Sequence, residues 1–177
     1  MNKFKAISFL LSFCFMLACS TAQIEKNPQM ANAYYKIGVA YLNENKIQQA
    51  FVEFQKAYEI NPQDKEVLNA NGIIYLLNFD ELQKAAEYFE KAVKVDPDYS
   101  EAYNNLGVAH QKMEHFETAI SFYKNSLLNL MSRTPENAYI NMGTSYYRLK
   151  NYESAVNSFK EAIKRAPVLS LAYFRLA

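Results

Sequence analysis

The four glycines of this 177-residue chain stand at Gly38, Gly72, Gly107 and Gly143, separated by 34, 35 and 36 residues. No other feature constrains the fold as tightly, because a period of this length marks a stack of like supersecondary units. The neighbours repeat as well. Four residues before each Gly stands Tyr34, Leu68, Tyr103 or Tyr139, and three after it Tyr41, Tyr75, His110 or Tyr146. Further on come Ala50, Ala85, Ala119 and Ala155, and four beyond each Ala an aromatic: Phe54, Phe89, Tyr123, Phe159. Ala57, Ala92, Ser126 and Ala162 follow, and Pro62, Pro97 and Pro167 close three of the units.

Within a unit, positions 4, 7, 8 and 11 fall on one helical stripe, the spacing of a buried face. A mid-helix Gly costs about 1 kcal/mol against Ala. Repeating it four times requires a packing reason: two antiparallel helices approaching closely at Gly and Ala, with aromatics filling the space around. The prolines end second helices, since the residue before Pro is pushed out of helical dihedrals. Few Gly and Pro suit a helical chain. The spacing predicts helix pairs at 31–44 and 46–60, 64–78 and 81–95, 99–113 and 115–130, and 136–149 and 152–165. Unit two carries one extra residue near Asn78-Phe79-Asp80. Unit three lacks a closing Pro and carries two extra residues before Thr134-Pro135, so its second helix is longer or its exit loop looser.

These positions resemble the tetratricopeptide repeat almost one for one over residues 31–169. The resemblance implies an all-α fold: a right-handed superhelix of antiparallel helix pairs, in four repeats (31–64, 65–99, 100–135, 136–169) plus a terminal helix begun at 170–177. It also implies a concave face lined by the first helix of each pair, at positions 2, 5, 9, 12 and 13. Those positions give Asn32, Tyr35, Val39, Leu42 and Asn43; Glu66, Asn69, Ile73, Leu76 and Leu77; Glu101, Asn104, Val108, Gln111 and Lys112; Asn137, Ile140, Thr144, Tyr147 and Arg148. The candidate partner-binding set is Tyr35, Val39, Leu42, Asn69, Ile73, Leu76, Asn104, Val108, Ile140 and Tyr147. Val39, Ile73, Leu76 and Tyr147 lie off the core stripe and are expected to face the groove, at least partly exposed. Apolar ligand side chains are expected there, an amphipathic helix for example, with Asn69 and Asn104 pairing with ligand backbone. Tyr35 and Val39 stand where chaperone-binding relatives carry the Lys and Asn that grip a terminal carboxylate.

The start of the chain has a different character. Lys3 and Lys5 precede a thirteen-residue apolar run, residues 6–18. A bilayer span needs roughly 20 such residues, so residues 1–18 read as a secretory signal. Met16-Leu17-Ala18-Cys19 resembles a bacterial lipoprotein box, which implies that Cys19 is diacylated. Two acyl chains anchor stably where one does not. Residues 19–30 are then a tether. The alternative is ordinary cleavage after Ala22, at Ser20-Thr21-Ala22. Either way Cys14 is discarded, leaving no thiol pair for a disulfide or thiol chemistry.

Removing Lys3 and Lys5 leaves 17 basic and 18 acidic residues. No clustered basic face points to nucleic acid. His110 and His115 have no Cys, paired carboxylate or second His motif beside them, and the solitary glycines form no phosphate loop. The chain is therefore expected to be neither an enzyme nor a cofactor, metal or small-molecule binder. The expectation is a scaffold for a protein partner, held to the envelope membrane by its N-terminal lipid, on the periplasmic face of the outer membrane, or else released to the periplasm. A lipobox, such repeats and an extended third unit leading into Thr134-Pro135-Glu136-Asn137-Ala138 also resemble the pilotin-type lipoproteins of type IV pilus biogenesis and stability. That resemblance implies an outer-membrane secretin as partner. The alternative is a general scaffold for envelope or outer-membrane assembly or cell division, and more remotely an enzyme accessory subunit.

Overall fold

A computed structural model of the chain describes residues 27–129 and 134–167. The signal segment, Cys19, most of the tether and residues 170–177 lie outside them. Among the described residues there are eight helices and no strand: α1 Pro28–Asn43, α2 Ile47–Ile60, α3 Lys65–Ile74, α4 Leu82–Val95, α5 Ser100–Lys112, α6 Phe116–Ser126, α7 Pro135–Arg148 and α8 Tyr152–Arg165. Each packs antiparallel on its sequence neighbours, and α5 also touches α7. No helix among the described residues is long and apolar enough to cross a membrane.

The glycines sit where their spacing predicts. A Cβ on Gly38 or Gly72 would lie 2.5 Å from Cε1 of Phe54 or Phe89, on Gly143 2.7 Å from Phe159, and on Gly107 closer still to Tyr123. Each is a contact inside one hairpin, the second helix pressing one edge of its ring, Cδ1–Cε1–Cζ, onto the bare backbone of the first. Phe54, Phe89 and Tyr123 are fully buried, and the alanines beside them complete the close approach.

Start and stop signals act locally. Asn27 caps α1 and Asp64 caps α3 through side-chain oxygens that accept backbone N–H bonds. Asn61, Asp96 and Ala166, each before a Pro, adopt φ of −130°, −132° and −135° and leave the helix. Between the helices of each pair the chain turns through one left-handed residue: Asn45, Asp80, Glu114 or Lys150, with φ of 54–62°. The next N–H reaches back to the residue at position 11: Lys46 to Tyr41, Glu81 to Tyr75, His115 to His110, Asn151 to Tyr146. In units one, three and four this is the hydrogen-bonding pattern of a Schellman motif.

Two details depart from the spacing. The extra residue of unit two is absorbed inside the helix: Tyr75–Phe79 is a π-helical turn continuing α3. Glu81 still bonds Tyr75, over one more residue than in the other units, and Phe79 lies edge-on to Phe51 at 5.1 Å. In unit three the second helix is not longer. It ends at Ser126, short of its siblings, although no Pro follows it. Leu127 and Leu128 tighten into i→i−3 bonds to Lys124 and Asn125, and the Ser126 hydroxyl donates to the Tyr123 carbonyl.

The buried face is also wider than the predicted stripe. Positions 3 and 10 are buried in units two to four, as Val67, Ala102 and Ala138, and as Ile74, Ala109 and Ser145. They press on the preceding pair. In α1 the same positions, Ala33 and Ala40, are exposed, and Ile37 at position 7 is 44% exposed.

The concave face and its asparagine cleft

Position 5 of the first helices carries Tyr35, Asn69, Asn104 and Ile140, all partly exposed. Tyr35 leans on Phe54, with ring centroids 5.8 Å apart. Position 9 carries Val39, Ile73 and Val108, each partly buried: Val39 packs against the core of the first two pairs, Ile73 and Val108 against that of the next.

Position 12 behaves differently, and here the sequence reading needs correction. Leu76 is 3% exposed, enclosed by Ala85, Ala86, Phe89, Leu106 and Ala109. It is a core residue between two pairs, not a groove residue. Position 12 follows the Gly by four, so it lies on the row next to the hairpin contact and meets the following first helix. Leu42 does the same, packing toward Ala70 and Ile74. Gln111 accepts hydrogen bonds from the Tyr123 and Ser145 hydroxyls. Only Tyr147, 60% exposed and edge-on to Tyr152 at 5.6 Å, stands free at this position.

Asn69, Ile73 and Asn104 share one cleft of about 230 Å³ with Glu101, Asn105, Asn137 and flanking residues. Its walls are α3, α5 and α7. Two amide–amide bonds cross from unit to unit: Asn105 Nδ2 donates to Asn69 Oδ1 at 2.9 Å, and Asn141 Nδ2 donates to Asn104 Oδ1 at 3.3 Å. The carbonyl ends of Asn69 and Asn104 are thus occupied, which orients their Nδ2 groups as donors one unit apart. The sequence reading missed Asn105 and Asn141. Their signal was an Asn at position 6 in two successive units. It also passed over Asn71, fully buried at position 7, whose amide accepts from Gln55 Nε2 at 2.7 Å and donates to the Val67 carbonyl.

Charge is arranged unevenly on this face. The basic residues of position 13 are engaged: Lys112 Nζ lies 3.8 Å from Asp80 and donates to the Leu76 carbonyl, and Arg148 lies 3.2 Å from Glu114. Glu101 forms no ion pair among the described residues and accepts only from the Ser100 hydroxyl. Burial, then Glu101, Glu66, Tyr35 and Asp64, hold the Tyr99 hydroxyl well above its ordinary pKa. Burial first, and then Asp64, also raises the Glu66 carboxyl.

His110 and His115 are neighbours, 5.8 Å between centroids, and the His110 ring stacks on Phe122 at 5.1 Å. His110 Nδ1 is buried without a hydrogen-bond partner. No group of three His, Cys, Asp or Glu among the described residues is placed to hold a metal ion.

Hairpins closed on Gly, stacked in series along one concave face, are matched by tetratricopeptide repeat models at residues 31–64 and 98–167 and by a TPR repeat model at 80–114. Together these span well over half of the chain. The chain is a tetratricopeptide repeat protein. Its architecture is that of a protein–protein interaction scaffold, built from units that each contact only their neighbours and leave an extended concave surface. Among solved structures it is similar to MamA (22% identity, TM-score 0.69, covering 78% of this chain and 79% of that one). It is also similar to PilW, a widely conserved type IV pilus biogenesis factor (21%, 0.73, 78% and 63%). A third is the first TPR domain of Spaghetti (RPAP3) bound to the HSP90 peptide SRMEEVD (19%, 0.66, 72% and 98%). At these identities the likeness is one of fold, and the chain spans less than two thirds of PilW. A search of curated protein sequences finds no significant match.

Proposed function

We propose that this protein is a lipid-anchored scaffold of the bacterial cell envelope, and that it holds a segment of a protein partner in the cleft between α3, α5 and α7. The oriented donors of Asn69 and Asn104 carry this reading. Amides already hydrogen-bonded through their carbonyls are poised to meet backbone carbonyls of an incoming strand or loop. Holding them ready reduces the ordering cost of binding. The ligand is therefore extended in the cleft rather than the amphipathic helix expected from the apolar side chains of this face. Anchoring through Cys19 rests on the lipobox alone.

Cross-linking from Asn137, which lines the cleft without making either amide–amide bond and is replaced by a photoreactive residue in the full chain, tests the groove. Cross-linked partner peptides mapping to one protein support it. Cross-links that form equally well from the convex residue Lys91 count against it. For the anchor, Cys19→Ser should move the protein from the membrane to the soluble fraction. An unchanged distribution, or a mature chain starting at Gln23, removes it.

The fold likeness to a type IV pilus biogenesis factor favours one specific reading, in which the protein serves as a pilotin and the partner is an outer-membrane secretin. Secretin in a pull-down from detergent-solubilised membranes supports that reading. Barrel-assembly or peptidoglycan-associated proteins in its place support the general envelope scaffold.

A further inference from the structure

The cleft between α3, α5 and α7 has a charge pattern that selects its occupant. Four acidic side chains lie along the N-terminal ends of the first helices, Asp64, Glu66, Glu101 and Glu136. Glu101 forms part of the cleft wall itself, beside Asn69, Asn104 and Asn137. Among the described residues, Lys65 is a cation close by and is already committed: its Nζ lies 2.5 Å from Asp96 and sits 5.0 Å over the Tyr99 ring, with Glu66 at 4.0 Å. At the other end of the same helices, Lys112 and Arg148 are matched by Asp80 and Glu114. Among the described residues lining the cleft, no cation is offered to a ligand carboxylate, whereas Glu101, which forms no ion pair there, is open to a ligand cation. Desolvating a Lys or Arg in a cleft is favourable only where such a partner waits for it.

We propose that the segment bound in this cleft presents a lysine or arginine side chain to Glu101, with Glu66 reinforcing the field, while Asn69 and Asn104 hold its backbone carbonyls. This rests on the groove reading above. It is opposite in sign to the acidic HSP90 peptide held by the first TPR domain of Spaghetti. The negative field around Tyr99, to which both Glu101 and Glu66 contribute, is consistent with it.

The test uses three end-blocked nine-residue peptides of Ser, Thr and Val that differ only in a central Lys, Gln or Glu. Each carries the same fluorophore and is titrated with the full chain in detergent at low salt. The Lys peptide should bind at least tenfold more tightly than the Gln peptide, the Glu peptide most weakly, and added salt should erode the difference. Glu101→Gln should remove most of the Lys preference, bringing the Lys peptide to within about threefold of the Gln peptide, with Glu66→Gln giving a smaller effect. Asn104→Ala should weaken all three alike. Circular dichroism checks that each variant keeps its fold. Equal binding of the three peptides, or a Lys preference that survives the Glu66→Gln/Glu101→Gln double variant, overturns the charge assignment and leaves the groove standing. Binding of none of them, or binding indifferent to Asn104→Ala, removes the groove reading and this inference together.

Discussion

The interior of the hairpins and the concave face repeat in different ways. Inside each hairpin the same contact occurs four times: a Gly backbone under an aromatic ring, from Gly38 on Phe54 to Gly143 on Phe159. On the concave face corresponding positions of the four units diverge. Position 5 runs Tyr35, Asn69, Asn104, Ile140, and position 12 runs from buried Leu76 to exposed Tyr147. The residues that make one unit fold are periodic because every unit solves the same packing problem. The residues that face a ligand need not be, because a ligand does not repeat. Departures from period, once those caused by packing are removed, are thus the positions at which a ligand-facing role is to be tested.

Breaking the interior should cost most. Gly107→Leu drives a side chain into Tyr123, which is fully buried and whose hydroxyl is tied to Gln111 at 2.7 Å, so the ring cannot swing clear. Overpacking usually costs 1–3 kcal/mol and occasionally more. A loss of about 3 kcal/mol is expected here, roughly 10 °C in Tm for a chain of this size. Lys91→Gln on the exposed surface of α4 is the control. Thermal melts that agree within error would remove the close-contact role of the glycines.

Leu76 comes next, because it decides which kind of residue position 12 is. Leu76→Ala should destabilise by about 3 kcal/mol, within the usual range for a buried leucine. Leu77→Ala, one residue on and 63% exposed, should stay within about 0.5 kcal/mol. Urea unfolding of the pair measures the difference. A small effect at Leu76 would return it to the groove.

These two sites show what could be read in advance. The glycines, alanines and aromatics announced the hairpins because hairpin packing depends on residue size at a fixed period. Leu76 was misread because helical geometry places position 12 on the border between groove and next unit, and a leucine suits either. The asparagine bonds were only half visible: Asn69 and Asn104 stood at groove positions, but the partners orienting them sit at position 6 of the next unit. The early end of α6 was hidden because no Pro marks it. The left-handed turns were hidden for another reason. The backbone repeats there while the residues do not, running through Asn45, Asp80, Glu114 and Lys150.

His110 is a packing departure with a pH signature. It replaces the tyrosine of the other units, and its Nδ1 is buried without a partner. Burial, and then His115, lowers its pKa below the ordinary histidine value, with Glu90 opposing. The fold thus keeps the ring neutral while the unfolded chain takes up a proton first. Stability is complete above the unfolded value of about 6.5 and falls as pH drops through it. His110→Tyr should flatten the dependence of Tm on pH between 7.5 and 5. An equally steep curve in the variant would place the titrating group elsewhere.

The turn residues give a smaller effect of opposite sign. Lys150 is held at φ 59°, a conformation that disfavours side chains with a Cβ. Lys150→Gly should relieve this and stabilise the fold by roughly 0.5–1 kcal/mol, the left-handed strain being partly offset by the greater freedom of glycine in the unfolded chain. A lower Tm would mean that the Lys150 side chain contributes more than its backbone costs.

Tyr147 should give the smallest stability change and the sharpest test of the distinction between packing and ligand residues. It occupies the same position as Leu76, yet it is 60% exposed and its aromatic neighbour Tyr152 is 55% exposed. Their edge-on contact at 5.6 Å lies in water and contributes little. Tyr147→Gln should therefore shift unfolding by no more than about 0.5 kcal/mol. If the concave face extends from the asparagine cleft along α7 to this ring, the same change should weaken partner capture, since exposed aromatics that become buried dominate binding energy. Urea melts and the Asn137 cross-linking assay, run on one preparation, separate the two quantities. Unchanged stability with weakened capture extends the binding surface to the end of α7. A large loss of stability would instead make position 12 a packing position in all four units and confine the ligand to the cleft.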